Sequence, residues 1–174
     1  MAIPPEIPLP RVELIPAGPE QEPTLNNLLQ LYAHDFSEFH NVNIGDDGRF
    51  VYRCLPLYWT EHARYPFLIR VNGKLAGLAL LNRGSEISRN ENVWDMAEFF
   101  VLRGYRRRGV GTRVAHEAWT RFPGPWQVRV MQSNASARNF WAKAIAAFTG
   151  QMNDPYGLEI GGEAWNVFCF ESSR

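Results

Sequence analysis

The sequence predicts an α/β domain: a central mixed sheet of about seven strands flanked by about four helices. Three observations lead there. Apolar residues recur at helical spacing in some stretches and alternate as in strands in others. Asn72-Gly73 stands between two apolar runs, the strongest short hairpin signal in the chain. Phe99 to Ala115, FFVLRGYRRRGVGTRVA, reads as a strand, a glycine-rich turn and a helix. The segments follow in the order strand, two helices, three strands, helix, strand, helix, two strands.

The length of 174 residues suits one domain with a sizeable core. Hydrophobic residues make up 45% and aromatics 13%, so an ordered globular chain is expected. The formal net charge is zero, which argues against a nucleic-acid partner, since such domains carry a strong basic excess. Cys54 and Cys169 have no metal or disulfide spacing and sit among apolar or aromatic neighbours, so they read as buried free thiols. No apolar run approaches membrane-spanning length, and prolines fill the N-terminus where a signal peptide would need an apolar segment. A cytoplasmic protein without a membrane partner is expected.

Residues 1–10 form a flexible proline-rich tail, and residues 11–174 a single domain. Val12, Leu14 and Ile15 suit a first strand. Pro23 can open a helix, and Leu25, Leu28, Leu29, Tyr32, Ala33 and Phe36 give it an apolar stripe. Asn41 to Gly48 is a polar loop. Its Asp46-Asp47-Gly48 lacks the spaced oxygen ligands and closing glutamate of a calcium loop, so no metal is expected. Leu55 to Ala63 reads as a short helix that Tyr65-Pro66 breaks. Phe67 to Val71 and Lys74 to Leu81 pair through the Asn72-Gly73 turn. Leu75 to Leu80 is apolar on both faces, as a central strand is.

Arg83 to Asn92 is polar and reads as a surface loop. Trp94 to Leu102 is the next strand, and the helix from Gly109 ends before Pro123-Gly124-Pro125. Trp126, Val128 and Val130 alternate with Gln127, Arg129 and Met131, as in a half-buried strand. Asn134 caps a helix whose stripe is Ala137, Phe140, Trp141, Ala144, Ile145 and Phe148, and Gly150 ends it. Gln151 to Glu171 holds two strands, the last from Trp165 to Phe170.

The turn before the third helix carries chemistry. Helix N-termini present unpaired N–H groups and partial positive charge. Glycine lets an anion approach them closely, and arginines add forked donors. Arg106, Arg107, Arg108, Gly109 and Gly111 therefore read as a socket for a pyrophosphate. A glycine pair also suits a plain tight turn, and an arginine triplet also suits a solvated charge run or a nucleic-acid patch. No Gly-Lys-Ser/Thr follows, so the turn is not a Walker loop, and Val114 falls where a dinucleotide fingerprint needs its third glycine.

Arg106, Gly109 and Gly111 match Arg/Gln-x-x-Gly-x-Gly/Ala, and Val101 lies five residues ahead. In this the chain resembles motif A of the GNAT superfamily of N-acetyltransferases. Asn134, Ala137 and, loosely, Phe140 resemble its motif B, with Trp141 on the position of the family tyrosine. The element order resembles the GNAT fold throughout, which implies a mostly antiparallel sheet splayed between the fourth and fifth strands.

The resemblance implies transfer of an acyl group, most simply acetyl from acetyl-CoA, to the primary amine of a small molecule or peptide. It implies that coenzyme A lies along Phe100 and Val101, over Arg106, Arg107, Arg108, Gly109, Val110, Gly111 and Thr112, and against Asn134 and Trp141; Arg138 reads either as a phosphate contact or as part of a solvated helix face. The Val101 N–H would polarise the thioester carbonyl. An acceptor pocket built from the first helices and last hairpin would draw on Tyr32, Asp35, Tyr52, Trp59 and Trp165. A homodimer is left open.

A protonated amine is no nucleophile, so a base or a water chain is required. Glu98 is the lone carboxylate in the apolar run Met96 to Leu102 and is the first candidate. Burial there raises its pKa toward neutrality. Asp95 is second, near the strand's start, where exposure is the ordinary explanation. Trp141 cannot protonate the leaving thiolate. Water, a hydroxyl from Ser136 or Tyr32, or a non-catalytic acyl-CoA-binding role remain as readings.

Overall fold

The computed structural model describes residues 10–173. The flexible tail read at residues 1–10 falls, except for Pro10, outside them. Seven strands form one sheet in the order β1-β2-β3-β4-β5-β7-β6. They are β1 Val12–Pro16, β2 Arg64–Val71, β3 Lys74–Ser85, β4 Asn90–Val101, β5 Gly124–Met131, β6 Tyr156–Ile160 and β7 Glu163–Ser172. The helices are α1 Glu22–Phe36, α2 Leu57–Thr60, α3 Val110–Arg121 and α4 Ala135–Thr149. Among the described residues no helix is long and apolar enough to cross a membrane.

Every strand pairing is antiparallel except β4 with β5, which is parallel. That pairing covers only Trp94 with Trp126 and Asp95 with Gln127. Beyond it the two strands part, and the rest of β4 has a neighbour on one side alone. The sheet is a mostly antiparallel GNAT fold, splayed between its fourth and fifth strands as expected.

Two cores sandwich the sheet. One face carries Phe67, Ala79, Met96, Val101, Val128 and Phe168, which pack with Val114, Trp119 and Ile145 of α3 and α4. The other carries Leu68, Leu78, Leu80 and Phe100, which pack with Leu25, Leu28 and Leu29 of α1 and Tyr58 of α2. Burying one such side chain contributes on the order of 1.5–3 kcal/mol, so these faces fix the register of the strands that carry them. Leu75 to Leu80 supplies both cores, which explains its unbroken apolar run.

Local signals decide the ends. Asn72 and Gly73 have φ of 50° and 76°, the pair of left-handed residues a tight hairpin needs. The Asn134 side chain accepts from the Ala137 N–H at 2.9 Å, and Gly150 closes α4 at φ 72°.

Four readings of the sequence are corrected. Arg83 to Asn92 is not a loop, because β3 runs to Ser85 and β4 starts at Asn90. The Ser85 hydroxyl closes the turn by accepting from the N–H groups of Ile87 and Ser88. The helix read at Leu55 to Ala63 is one turn, Leu57–Thr60, because Glu61 is already extended toward β2. Tyr65-Pro66 lies inside β2: the β1 ladder ends at Phe67, and beyond it only the Pro66 carbonyl is used on that side, accepting from Ala17 N–H at 2.9 Å, so the missing proline N–H costs no ladder bond. Cys54 and Cys169 are exposed, not buried. Cys169 alternates with the core residues Phe168 and Phe170, which turns it outward.

Candidate active site

An irregularity in β4 aims the first candidate base. Glu98 pairs with Leu80 while Met96 pairs with the next residue, Leu81, so Ala97 is an extra residue, a β-bulge. Strict alternation would put Glu98 on the Met96 face, inside the α3–α4 core. The bulge returns it to the face of Asp95 and opens it to a cleft of about 370 Å³. Walls come from α1 (Tyr32, Phe36), the following loop (Phe50, Tyr52), β4 (Met96, Glu98), β5 (Val128, Arg129) and α4 (Asn134, Trp141), with Trp165 of β7.

Burial pushes the Glu98 carboxyl up, while hydrogen bonds from Tyr32 and Tyr52 and the charge of Arg129 pull it back, leaving it at about 7. Tyr52 donates to Oε1 at 3.1 Å. The Tyr32 and Tyr52 hydroxyls are themselves pushed well above the usual phenol value, by burial and then by the Glu98 charge. Both keep their protons through the neutral range and act as hydrogen-bond donors.

Asp95 is buried rather than exposed, because β4 begins five residues earlier, at Asn90, and Asp95 lies mid-strand. Arg129 Nη2 donates to its Oδ2 at 2.8 Å. Burial still holds the Asp95 carboxyl above its ordinary value, with Arg129 opposing. Asp95 does not line the cleft; its partner Arg129 does. Sequence reasoning passed over Arg129 as the outward side of an alternating strand. Its signal was the parity it shares with Gln127, the partner of Asp95.

The turn before α3 has the open geometry of an anion cradle. Gly109 caps the helix at φ 74°, a conformation glycine adopts without strain, and no atom beyond its chain neighbours stands within 4 Å of where its Cβ would be. Arg107 is also left-handed, at φ 58°. No side chain caps α3, so its first N–H groups have no side-chain acceptor, and the exposed Arg107 and Arg108 stand just ahead of them. Gly111 has a different reason: a Cβ there would lie 3.1 Å from the Phe140 ring, so α3 and α4 need the small residue to approach. Thr112 follows in the first turn of α3, and Val110 is buried beneath it.

Arg106 does not extend into the socket. Its Nε donates to the Val101 carbonyl at 2.6 Å and its Nη2 to Asp35 at 2.6 Å, while Arg103 takes the other Asp35 oxygen, also at 2.6 Å. Asp35 is therefore removed from the acceptor pocket. It lies off the cleft lining, and its two arginines outweigh burial to hold its carboxyl below the ordinary value. Trp59 is off the lining as well, with Nε1 donating to the Ala17 carbonyl at 2.9 Å at the edge of the α1–α2 core.

The strand edge completes the arrangement. Leu102 N–H donates to Ala76 O at 2.8 Å, and Val101 pairs with Gly77. Antiparallel alternation turns the N–H of Val101 away from β3, into the gap that β5 has left. Phe100, next to it, faces the α1 core. Asn134 and Trp141 line the same gap from α4, with the Trp141 ring 4.9 Å from that of Phe99. Arg138 is exposed on the outer face of α4, and Ser136 is exposed off the cleft lining. Among the described residues no three His, Cys, Asp or Glu side chains gather to hold a metal ion.

The family model described as the acetyltransferase (GNAT) family matches residues 25–146. No curated protein matches the sequence. An acetyltransferase from Thermus thermophilus is similar in structure at TM-score 0.67 and 16% identity, over 94% of this chain and 98% of that one. An aminoglycoside acetyltransferase in complex with coenzyme A is similar at 0.67 and 13%, over 92% and 95%. Spermidine N-acetyltransferase from Vibrio cholerae, with CoA and spermine, is similar at 0.62 and 14%, over 92% and 95%. At these identities the structures speak to the fold. With motif A in register and the family model covering α3 whole and α4 as far as Ala146, the chain belongs to the GNAT family of acetyltransferases.

Proposed function

We propose that this chain moves an acetyl group from acetyl-CoA to the primary amine of a small molecule or peptide, by direct attack while both are bound, with Glu98 taking the amine proton. The observation that carries it is Glu98 itself, turned by the Ala97 bulge into the cleft and poised at about 7. A base with that pKa is half ionised near neutral pH, where proton transfer in both senses is efficient.

The residues present fit coenzyme A. The open cradle at Gly109 and the free first turn of α3 suit a pyrophosphate. The unpaired edge of β4 suits an arm with peptide-like donors and acceptors. Coenzyme A supplies the acetyl group as an activated thioester. Around it, Val101 N–H donates to the carbonyl oxygen as negative charge grows there, a contribution of roughly 3–4 kcal/mol for one such donor. Glu98 accepts the amine proton, directly or through water. Neither cysteine lines the cleft, so no covalent enzyme intermediate is needed.

Trp141 stands where the family tyrosine would protonate the leaving sulfur. Tyr32 holds its proton too tightly, with Glu98 beside it. Water serves instead, since a thiol pKa near ~8.5 makes the step undemanding. The same tryptophan favours one second reading, an acyl-CoA-binding module without turnover. Titration calorimetry with coenzyme A, followed by an amine screen that reads released thiol, tests both. Binding with release supports transfer, binding without release supports the module, and no binding to folded protein overturns each.

A further inference from the structure

Glu98 shares its face of the sheet with a second charge. Asp95 and Gln127 are partners across β4 and β5, so they project to the same side. Arg129 lies two residues past Gln127, and the Ala97 bulge brings Glu98 back to that side. Glu98 and Arg129 thus stand on the two lips of the splay, both on the cleft wall.

Arg129 is held by only one of its nitrogens. Nη2 donates to Oδ2 of Asp95, and the other oxygen of that buried carboxylate, Oδ1, has no partner. A fork-to-fork pair would use both oxygens and two nitrogens. Here the contact is end-on, and Nε and Nη1 find no acceptor among the described residues. Asp95 anchors the guanidinium and leaves it donors to spare.

Asp35 takes Arg103 and Arg106, and Glu163 takes Nδ1 of His40 at 3.1 Å. Among the described residues Glu98 is the one carboxylate on the cleft wall, and Arg129 stands across the gap from it. A polycationic acceptor would find one carboxylate and one opposing charge. An acceptor with an amine and an anion side by side would find a partner for each.

Building on the acetyl-transfer reading, we infer that the acceptor carries a carboxylate close to its amine, as an amino acid does, and that Arg129 reads that carboxylate while Glu98 meets the amine. The aromatic walls, Tyr32, Phe36, Phe50 and Trp165, receive its side chain. Arg129 is then a specificity residue, anchored by Asp95 as a positioning residue.

The test is a thiol-release assay with acetyl-CoA and the common L-amino acids, each beside its own carboxamide, with spermidine as the polycation. The carboxamide has the size of the acid, and its less basic amine is a weaker nucleophile but more of it is unprotonated at neutral pH, so a strong preference for the acid reports its carboxylate. For the best amino acid, kcat/KM should exceed that of its amide by roughly tenfold or more. Arg129→Gln should bring the two within about twofold: losing this charge also raises the Glu98 pKa, but that bears on acid and amide alike and leaves their ratio to report the carboxylate contact. Because this variant strips Asp95 of its partner, Asp95→Asn/Arg129→Gln, which removes both charges together, should give the same collapse. Amides or spermidine used as well as the acids would overturn the inference and leave acetyl transfer standing. No thiol release from any acceptor would overturn both.

Discussion

The hydroxyl of Tyr52 donates to Oε1 of Glu98 across 3.1 Å, tying the chain ahead of α2 to the bulged strand. The bond favours the ionised carboxylate over the neutral one. Tyr52→Phe keeps the ring and removes the donor. The Glu98 pKa should rise from about 7, and the acidic limb of kcat/KM should move up by roughly 0.5–1 pH unit, since one net hydrogen bond is worth about 1 kcal/mol. A limb that stays in place would show that the tyrosine does not bear on the ionising group.

Glu98→Gln should lower the rate by about 10²–10⁴-fold, the range for losing a general base, and should abolish the limb near pH 7. The same variant has a signature in stability. Glu98 has a raised pKa when folded, so between its unfolded value and about 7 the folded state binds more protons than the unfolded one. Wild-type stability therefore falls as pH rises through that window. The glutamine variant escapes this loss, and its melting temperature should exceed wild type at pH 8 but not at pH 4.

Gly109→Glu sets a negative charge and a strained left-handed residue at the start of α3. Coenzyme A binding by calorimetry should be lost. Gly109→Ala serves as the control: it keeps the strain, about 1 kcal/mol, without the charge. It should bind measurably and melt slightly lower.

Asp35 joins α1 to both arginines flanking the turn. Asp35→Asn frees positive charge at the socket and loosens the helix that carries Tyr32. KM for the acceptor should rise several-fold while affinity for coenzyme A is kept or improved. The cost in stability should be small, since Arg103 is largely in solvent. Equal losses on both substrates would reduce Asp35 to a structural tie.

The parts of this molecule that local chemistry dictates were legible in the sequence. Asn72-Gly73 made its turn, Asn134 and Gly150 bounded α4, and the spacing of Arg106, Gly109 and Gly111 marked the turn that opens α3. What escaped depends on partners far along the chain. Asp35 looked free for a cationic substrate until α1 met Arg103 and Arg106, 68 and 71 residues later. Arg129 looked solvated until the splay opened its side of β5 to the cleft. The bulge at Ala97 leaves no mark in composition, since alanine suits a regular strand as well as an irregular one. It nevertheless decides whether Glu98 faces the core or the cleft.

The parting of β4 from β5 after Asp95 also makes the strand its own reporter. Most backbone amides in the interior of a sheet exchange with deuterium only when the sheet opens. Those of Phe99 and Val101 lie within the sheet's span, yet alternation points them into a gap with no strand to receive them. They should exchange quickly in the free protein and slow sharply when an extended chain of acceptors lies against them. Occupancy of the gap can thus be timed from two amides, before any acceptor amine is identified and in variants that turn nothing over.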